Sequence, residues 1–360
     1  MNKKIAVYAI CKNEEKNILS WYESMKEADE IIVLDTGSTD KTIELLQKCR
    51  KIKVFKQVIN PWRFDVARNI SLSYVSENID ICICTDLDER FEPGWSIHVK
   101  KYWKDDTTRG RYLYNWNFTN NGEPGTTFYI NKAHVRHGYI WTHPVHEVLS
   151  AQIEEKEILI PNLVLNHYQD LTKKRTSYLH LLELSVQEDP DDDRNIHYLA
   201  REYMYYHKYN EAIQTFHRHL NLPSSTWKDE RCASMRYLGF CYKKINYYEE
   251  SIMWYEKAIK EAPYLREPYY DISLLMYELK RYDEVIKYLN KAIKIKEKSL
   301  TYINEQDAWN ENIYDLLAIA YYEVNNINLS YRYSKKAYKI NSKNERIKNN
   351  YEFIKKIKKA

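Results

Sequence analysis

Along the first hundred positions, short unbroken apolar runs alternate with stretches of helical spacing. IAVYAI (5–10), EIIVLD (30–35), KVFKQV (53–58) and DICICTDLD (80–88) read as strands. Between them EEKNILSWYESM (14–25), DKTIELLQKC (40–49) and FDVARNISLSYVSE (64–77) space their apolar residues as helices do, and Thr39 and Asp40 are suited to cap the second of these. Strands separated by helices of this length predict a mostly parallel sheet with helices on both faces. In such sheets ligands bind beyond the C-terminal strand ends. Those ends read KNEE, LDTGSTD and TDLDE, so three polar segments are expected to converge on one crevice. From about residue 108 the pattern turns to strands, RYLYNWNF (111–118) and TTFYINKAHV (126–135), around the turn signal NNGEPG, with short extended pieces at 158–161 and 164–168. The first domain is expected to span 1–170 and a second 171–360.

The second domain is helical and repetitive. One template places Ala or a similar residue, Tyr three positions on, a small residue nine further, and an aromatic four after that. Aligned on it, more or less degenerately, are Ala200, Tyr203, Ala212 and Phe216; Gly239, Tyr242, Ser251 and Tyr255, continuing to Ala258 and Pro263; Ser273, Met276, Val285 and Leu289, continuing to Ala292; and Ala318, Tyr321, Ser330 and Ser334, continuing to Ala337. The spacing resembles the tetratricopeptide repeat, a pair of antiparallel helices of roughly 34 residues, in which small residues let paired helices approach. Such units stack into a solenoid with a concave groove. The closing NNYEFIKKIKKA reads as the basic, solvated last helix of the array.

Composition narrows the function classes. Hydrophobic and charged contents of 44% and 29% are those of a globular protein, and a net charge of +4 over 360 residues is too small for a dedicated nucleic-acid binder. The six Cys form no CxxC pair and no zinc spacing, and Cys82 and Cys84, two apart on a strand, share a core face. The N-terminal apolar stretch is too short for a signal peptide, and no run reaches the roughly 18 apolar residues of a membrane span, so a cytoplasmic protein is expected. The 34 Tyr against 7 Gly fit either a codon bias towards Lys, Ile, Asn and Tyr or an aromatic surface in the repeats. GxGxxG, P-loop and GxSxG motifs are absent, which argues against dehydrogenase, kinase and esterase chemistry.

The leading chemical signal is Asp86-Leu87-Asp88 after a buried strand. Two acids at the rim of an apolar sheet are costly unless a cation or hydrogen bonds compensate them. Mg²⁺ and Mn²⁺ take oxygen ligands and bridge carboxylates to phosphates, which suits a nucleoside diphosphate. Asp35 closes a strand where it could accept from a base or ribose, or simply serve the strand-to-helix turn with Gly37 and Asp40. Arg63 and Arg68 fit bidentate donation to a diphosphate or ordinary salt bridges. Trp62, Trp116 and Trp141 suit stacking on sugar rings or core packing.

Taken together, AICKNEEKNI, IIVLDTGSTDKT, WRFDVARN, TDLDE and VHE resemble the family 2 glycosyltransferases of the GT-A fold over about residues 4–170. The resemblance implies an α/β GT-A domain, Rossmann-like, ahead of the all-α repeats. It further implies nucleoside contacts at Ala9, Asn13, Glu14 and Asp35, a diphosphate side at Asp65, Arg68 and Asn69, and Asp86 and Asp88 on metal and sugar. It nominates His167 as a further metal or diphosphate ligand, the alternative being a structural histidine. Glu147 is the general-base candidate, and His146 positions sugar or phosphate; the alternative is that both only hold their loop. The VHE form departs from the acidic motif common in the family. The implied reaction is inverting transfer from a UDP-sugar with Mn²⁺ or Mg²⁺. A GT-A domain followed by repeats is similar to the SunS-type peptide glycosyltransferases, which implies a peptide or protein acceptor, with dimerisation as an alternative role for the repeats. A surface glycan (lipopolysaccharide core or capsule) as acceptor, and a binding scaffold with an inactive transferase domain, are the competing functions.

Overall fold

The computed structural model describes residues 3–119, 122–170 and 178–359. Asn120 and Asn121 of the expected turn, and residues 171–177 at the expected start of the second domain, lie outside the described residues. The chain divides into one unit of Met1–Glu188 with Leu300–Tyr302, and another of Asp189–Ser299 with Ile303–Ala360.

In the first unit the apolar runs form β1 (Ile5–Cys11), β2 (Glu30–Asp35), β3 (Ile52–Lys56) and β4 (Ile81–Cys84), parallel in the order β3-β2-β1-β4. β1, β2 and β4 are buried along their whole length, whereas the edge strand β3 is half-buried. Alternation divides their side chains between two cores. Ile5, Val7, Ala9 and Cys11 pack with Ile18, Trp21 and Met25 of α1 (Ile18–Met25) and Leu46 of α2 (Thr42–Lys48). Ala6, Tyr8, Cys82 and Cys84 face the other way, onto Leu72 of α3 (Phe64–Ser73). Ile18, Trp21 and Met25 recur on one helical face, and burying each stabilises α1 by about 2–3 kcal/mol. Two helices on one face lead outward from β1, and α3 returns across the other face to β4. That is the path right-handed crossovers require, and it places the topological switch between β1 and β4.

The sheet continues through β5 (Glu89–Phe91), α4 (Trp95–Tyr102), β6 (Arg109–Asn115), β7 (Thr127–Val135) and β10 (Glu157–His167), in the extended order β4-β7-β6-β10-β5. β4–β7, β7–β6 and β10–β5 are antiparallel, and β6–β10 is parallel. A hairpin of β8 (Tyr139–Thr142) and β9 (Val148–Ala151) covers the α3 face, and α5 (Tyr178–Glu188) closes the unit. Three sequence expectations are corrected here. The fourth strand stops at Cys84, because Asp86–Glu89 is a turn closed by the Glu89 N–H on the Asp86 carbonyl at 3.0 Å. The pieces at 158–161 and 164–168 belong to one strand, interrupted where Pro161 lacks a donor and Asn162 takes φ of 62°. Asp40 serves α2 by accepting from the Thr42 N–H at 2.9 Å rather than as its N-cap residue, which is Lys41.

The second unit stacks helical pairs: α6 (Asp193–Tyr205) with α7 (Tyr209–Asn221), α8 (Lys228–Lys244) with α9 (Tyr248–Glu261), α10 (Glu267–Glu278) with α11 (Tyr282–Ala292), and α12 (Asn312–Glu323) with α13 (Ile327–Ile340), followed by α14 (Glu345–Lys359). The small template residues are the points of closest approach. Ser251 Oγ donates to the Gly239 carbonyl at 2.6 Å, and Ser330 Oγ to that of Ala318 at 2.8 Å. A Cβ on Gly239 would sit 2.8 Å from the Tyr255 ring, so only glycine fits there. Each pair turns in the same way. His207, Asn246, Lys280 and Asn325 adopt positive φ, and the next residue's N–H returns to Tyr203, Tyr242, Met276 or Tyr321. This bond, five residues back, closes the first helix of each pair as a Schellman motif. No helix among the described residues is long and apolar enough to cross a membrane.

Candidate active site

The loops after β1 and β2 are laced together by hydrogen bonds that involve three of the residues singled out for the nucleoside. Asp35 is buried, and its Oδ1 accepts from the Gly37 and Ser38 N–H groups at 3.0 Å each. Asn13, at φ of 58°, donates its N–H to Ser38 Oγ at 2.9 Å and accepts from the Thr39 N–H at 2.7 Å. Glu14 donates its N–H to Thr42 Oγ1 at 2.7 Å, and its carboxylate accepts from Asn17. Ala9 lies two residues inside β1, fully buried, with its carbonyl accepting from Ser71 Oγ.

Beyond β4, Arg68 is the hub. It projects from α3, is nearly completely buried, and lies over the Trp141 ring at 5.2 Å. Its Nε donates to Glu147, its Nη2 to Asp86 Oδ1 at 2.9 Å, and its Nη1 to Cys84 Sγ at 3.1 Å. One guanidinium therefore joins the proposed base to the first acid of the DLD triplet. Lys132 of β7 adds a second cation, 3.6 Å from Asp86 Oδ2 and 3.2 Å from Glu89 Oε1. Burial works to raise the Asp86 carboxyl, but Arg68 and Lys132 hold it well below the usual carboxylate range. Glu89 goes the other way. Burial raises it, Lys132 opposes the rise and Asp86 adds to it. Its carboxylate accepts from the Asp86 N–H at 2.8 Å and Tyr114 Oη at 2.8 Å, which fixes the turn that carries the triplet.

Asp88 turns towards His167 at the end of β10, with Oδ2 and Nε2 at 3.3 Å. Burial lowers the His167 pKa, but the hydrogen bond and charge of Asp88, the charge of Glu89 and the Trp116 carbonyl together outweigh it, and the net shift is upward. The Nδ1–H of His167 donates to the Trp116 carbonyl at 3.0 Å, and the Trp116 ring packs on the imidazole at 4.6 Å. A backbone carbonyl accepting from one ring nitrogen, leaving the other beside a carboxylate, is how proteins orient a metal-binding imidazole. The carboxylate oxygens of Asp86 and Asp88 fit the hard Mn²⁺ or Mg²⁺ that the sequence implies, and the His167 imidazole, a ligand foreign to Mg²⁺, fits the two less evenly.

The remaining nominated residues are committed elsewhere. Asp65 forms a two-pronged pair with Arg63 (3.0 and 2.8 Å), and Arg63 also bridges Glu188. Asn69 exchanges hydrogen bonds with the Trp141 main chain, both at 2.8 Å, and so tethers β8 to α3. His146, at φ of 51° in the β8–β9 loop, meets the Tyr178 ring edge-on at 5.8 Å. Sequence reasoning missed Lys132, Glu89 and Tyr114. Glu89 was adjacent to the triplet, but nothing local marks Lys132, which topology alone brings in. It also missed a carboxylate–imidazole group in the repeats: the ligand atoms of Asp193, His219 and Glu230 all lie within 4.8 Å of one another. There Ser225 and Ser234 engage the two imidazole nitrogens.

Residues 6–149 match the family model of glycosyl transferase family 2, and 238–264 and 267–299 match the tetratricopeptide repeat. An uncharacterized glycosyltransferase of Rickettsia bellii (strain RML369-C) is 31% identical over 114 residues, which is 31% of this chain and 37% of that protein. The chain thus matches little more than a third of the length of this curated relative. Among solved structures, MamA aligns over 50% of this chain and 99% of its own at 20% identity and a TM-score of 0.39. YrrB, described as a tetratricopeptide protein with an unusual peptide-binding site, aligns over 48% and 80% at 13% identity and a TM-score of 0.35.

Proposed function

Because the chain joins a family 2 glycosyl transferase domain to tetratricopeptide repeats, we propose that it transfers a sugar, with inversion, from a UDP-sugar to a peptide or protein held by the repeats. The observation that carries this reading is the pairing of Asp88 with an imidazole whose other nitrogen is fixed by the Trp116 carbonyl. Asp88 and His167 would hold a divalent cation, and Asp86, kept ionised by Arg68 and Lys132, would supply a further oxygen. When bound, that cation neutralises charge on the departing diphosphate. Asp35, Asn13 and Glu14 frame the nucleoside, and the Ala9 segment forms its floor. Asp65 and Asn69 act through the elements they hold, Arg63 and β8, rather than by touching the donor. Glu147 takes the proton from the acceptor nucleophile, and Arg68 holds its carboxylate in place until the acceptor arrives. His146 orders the loop that presents Glu147.

The test is hydrolysis of UDP-sugars by the purified full chain. Activity should require Mn²⁺ or Mg²⁺, stop with a chelator, and fall at least about a hundredfold in Asp88→Asn. Turnover that survives both treatments overturns the proposal, and no turnover with any UDP-sugar favours an inactive scaffold.

A further inference from the structure

Three successive helices of the repeat unit meet at a buried imidazole. His219 of α7 is fully buried, Glu230 of α8 is 4% exposed, and Asp193 opens α6. One ligand atom from each lies within 4.8 Å of those of the other two. His219 Nε2 faces Glu230 Oε1 at 3.3 Å and Ser225 Oγ at 3.1 Å. Its Nδ1 is 2.9 Å from Ser234 Oγ, which is in turn 2.7 Å from Nδ1 of the buried His197. The loop that carries Ser225 is pinned, because Arg231 Nη1 donates to the carbonyls of Leu220 at 3.0 Å and Ser225 at 3.1 Å. The side chains around His219 Nε2 are thus fixed by the repeat framework itself.

Hydrogen bonding alone does not account for the group. The two imidazoles pack at 5.3 Å, and the buried His197 Nε2 has no hydrogen-bond partner among the described residues. Burial pushes the His197 pKa well down, so that ring stays neutral and only His219 can carry positive charge. Even a protonated His219 leaves Asp193 and Glu230 one negative charge in excess. Burial, and after it the charge of Glu230, push the Asp193 carboxyl up, as expected of two acids crowded round one ring. A divalent cation beside a neutral imidazole brings the sum to zero. Ser234 has one hydrogen for two Nδ1 atoms. When it donates to His197, it accepts from His219 Nδ1–H, and the His219 Nε2 lone pair is turned towards the two acids. A hydroxyl on the far ring nitrogen is the outer contact that fixes the tautomer of a metal-bound histidine. Mg²⁺ and Ca²⁺ favour shells built of oxygen alone, whereas one imidazole with two carboxylates is a donor set for Zn²⁺. We propose that Asp193, His219 and Glu230 bind one Zn²⁺ through His219 Nε2 and an oxygen of each acid, with a water in the fourth position beside Ser225 Oγ. The ion ties the first helical pair, α6 and α7, to the start of the second at α8. The inference is independent of the transferase reading.

The test uses the full chain, stripped with a chelator and reloaded with ZnCl₂ alone, without nucleotide or sugar. The His167→Ala variant is the background, so that the transferase site does not contribute an imidazole. Elemental analysis after desalting should find one equivalent of Zn²⁺. Zinc should raise the melting midpoint by about 5 °C or more and slow amide exchange in α6, α7 and α8. Asp192 rather than Asp193 caps α6, accepting from the Asn195 N–H at 2.7 Å, so Asp193→Asn leaves the helix start intact. Asp193→Asn should weaken Zn²⁺, measured by competition with a chromogenic chelator, by about tenfold or more. Ser234→Ala, which removes only the outer contact, should weaken it about tenfold. Co²⁺ in place of Zn²⁺ should give the intense visible absorption of a four-coordinate site, and His219→Gln should lose it. The proposal is overturned by a chain that retains no zinc in this background, or by zinc held equally by the Asp193→Asn and Ser234→Ala variants. It is overturned equally by zinc that the wild type binds and His167→Ala loses.

Discussion

Arg68 ties two acids of the candidate site, Asp86 and Glu147, to one guanidinium. It is buried between Asp86 and Glu147, and its forked donors are matched to both. Removing one member of such a group leaves buried charges uncompensated, which costs about 3–5 kcal/mol. Arg68→Met should therefore lower the free energy of unfolding by that amount as well as abolish transfer. Arg68→Lys should recover part of the stability and little of the activity, because an ammonium cannot hold two carboxylates in fixed directions. Glu147→Gln separates the two roles open to that residue. As the base, it should lose turnover with acceptor while keeping donor binding. A carboxylate that only anchors Arg68 would cost stability and leave the remaining turnover acceptor-dependent. Circular dichroism melts and initial rates on the same preparations distinguish these outcomes.

At the scale of elements, the loop that carries Glu147 depends on the anchoring of its hairpin. Trp141 Nε1 donates to Tyr8 Oη at 2.8 Å, Tyr8 Oη bonds His134 Nε2 at 2.8 Å, and the His134 Nδ1–H donates to the Val135 carbonyl at 2.7 Å. This chain needs a neutral imidazole, and burial pushes the His134 pKa down to about 3. Its folded value lies below the unfolded one, about 6.5, so the unfolded chain binds the extra proton between those limits. The stability is complete above about pH 6.5 and declines as pH falls, by about 2 kcal/mol at pH 5. Chemical denaturation at pH 7 and pH 5 should show that loss, and His134→Gln should flatten it. In the repeats, Lys280 pays for a left-handed turn that glycine adopts freely, so Lys280→Gly should raise stability by about 0.5–1 kcal/mol. The periodic elements were legible in sequence because β1, β2 and β4 are buried on both faces and the repeat residues meet at fixed spacing. The β8–β9 hairpin was not. YIWT and VLSA are too short to show a period, and the loop between them reaches its shape through positive φ at His143 and His146, residues that carry no turn signal. Lys132 was invisible for a different reason: its partners lie more than 40 positions away in sequence and meet it only through sheet order.

For the whole molecule, the two units keep separate hydrophobic cores: one set is built on the first sheet, the other on the repeats. The repeat tyrosines divide: Tyr255, Tyr269, Tyr288 and Tyr314 fill the repeat cores, while Tyr205, Tyr206, Tyr247 and Tyr264 are exposed. Donor nucleotide with Mn²⁺ should slow amide exchange in the loops after β1, β2 and β4 and leave the protection of α8–α11 unchanged. Exchange followed by mass spectrometry reads both on one sample. The central claim concerns the cation, and it is tested most directly by electron paramagnetic resonance of Mn²⁺ titrated into the full chain with UDP. The account predicts one nucleotide-dependent site showing nitrogen coupling that disappears in His167→Ala, with binding lost in Asp88→Asn. Mn²⁺ bound equally by wild type and both variants, or bound only at the Asp193, His219 and Glu230 group, would contradict it.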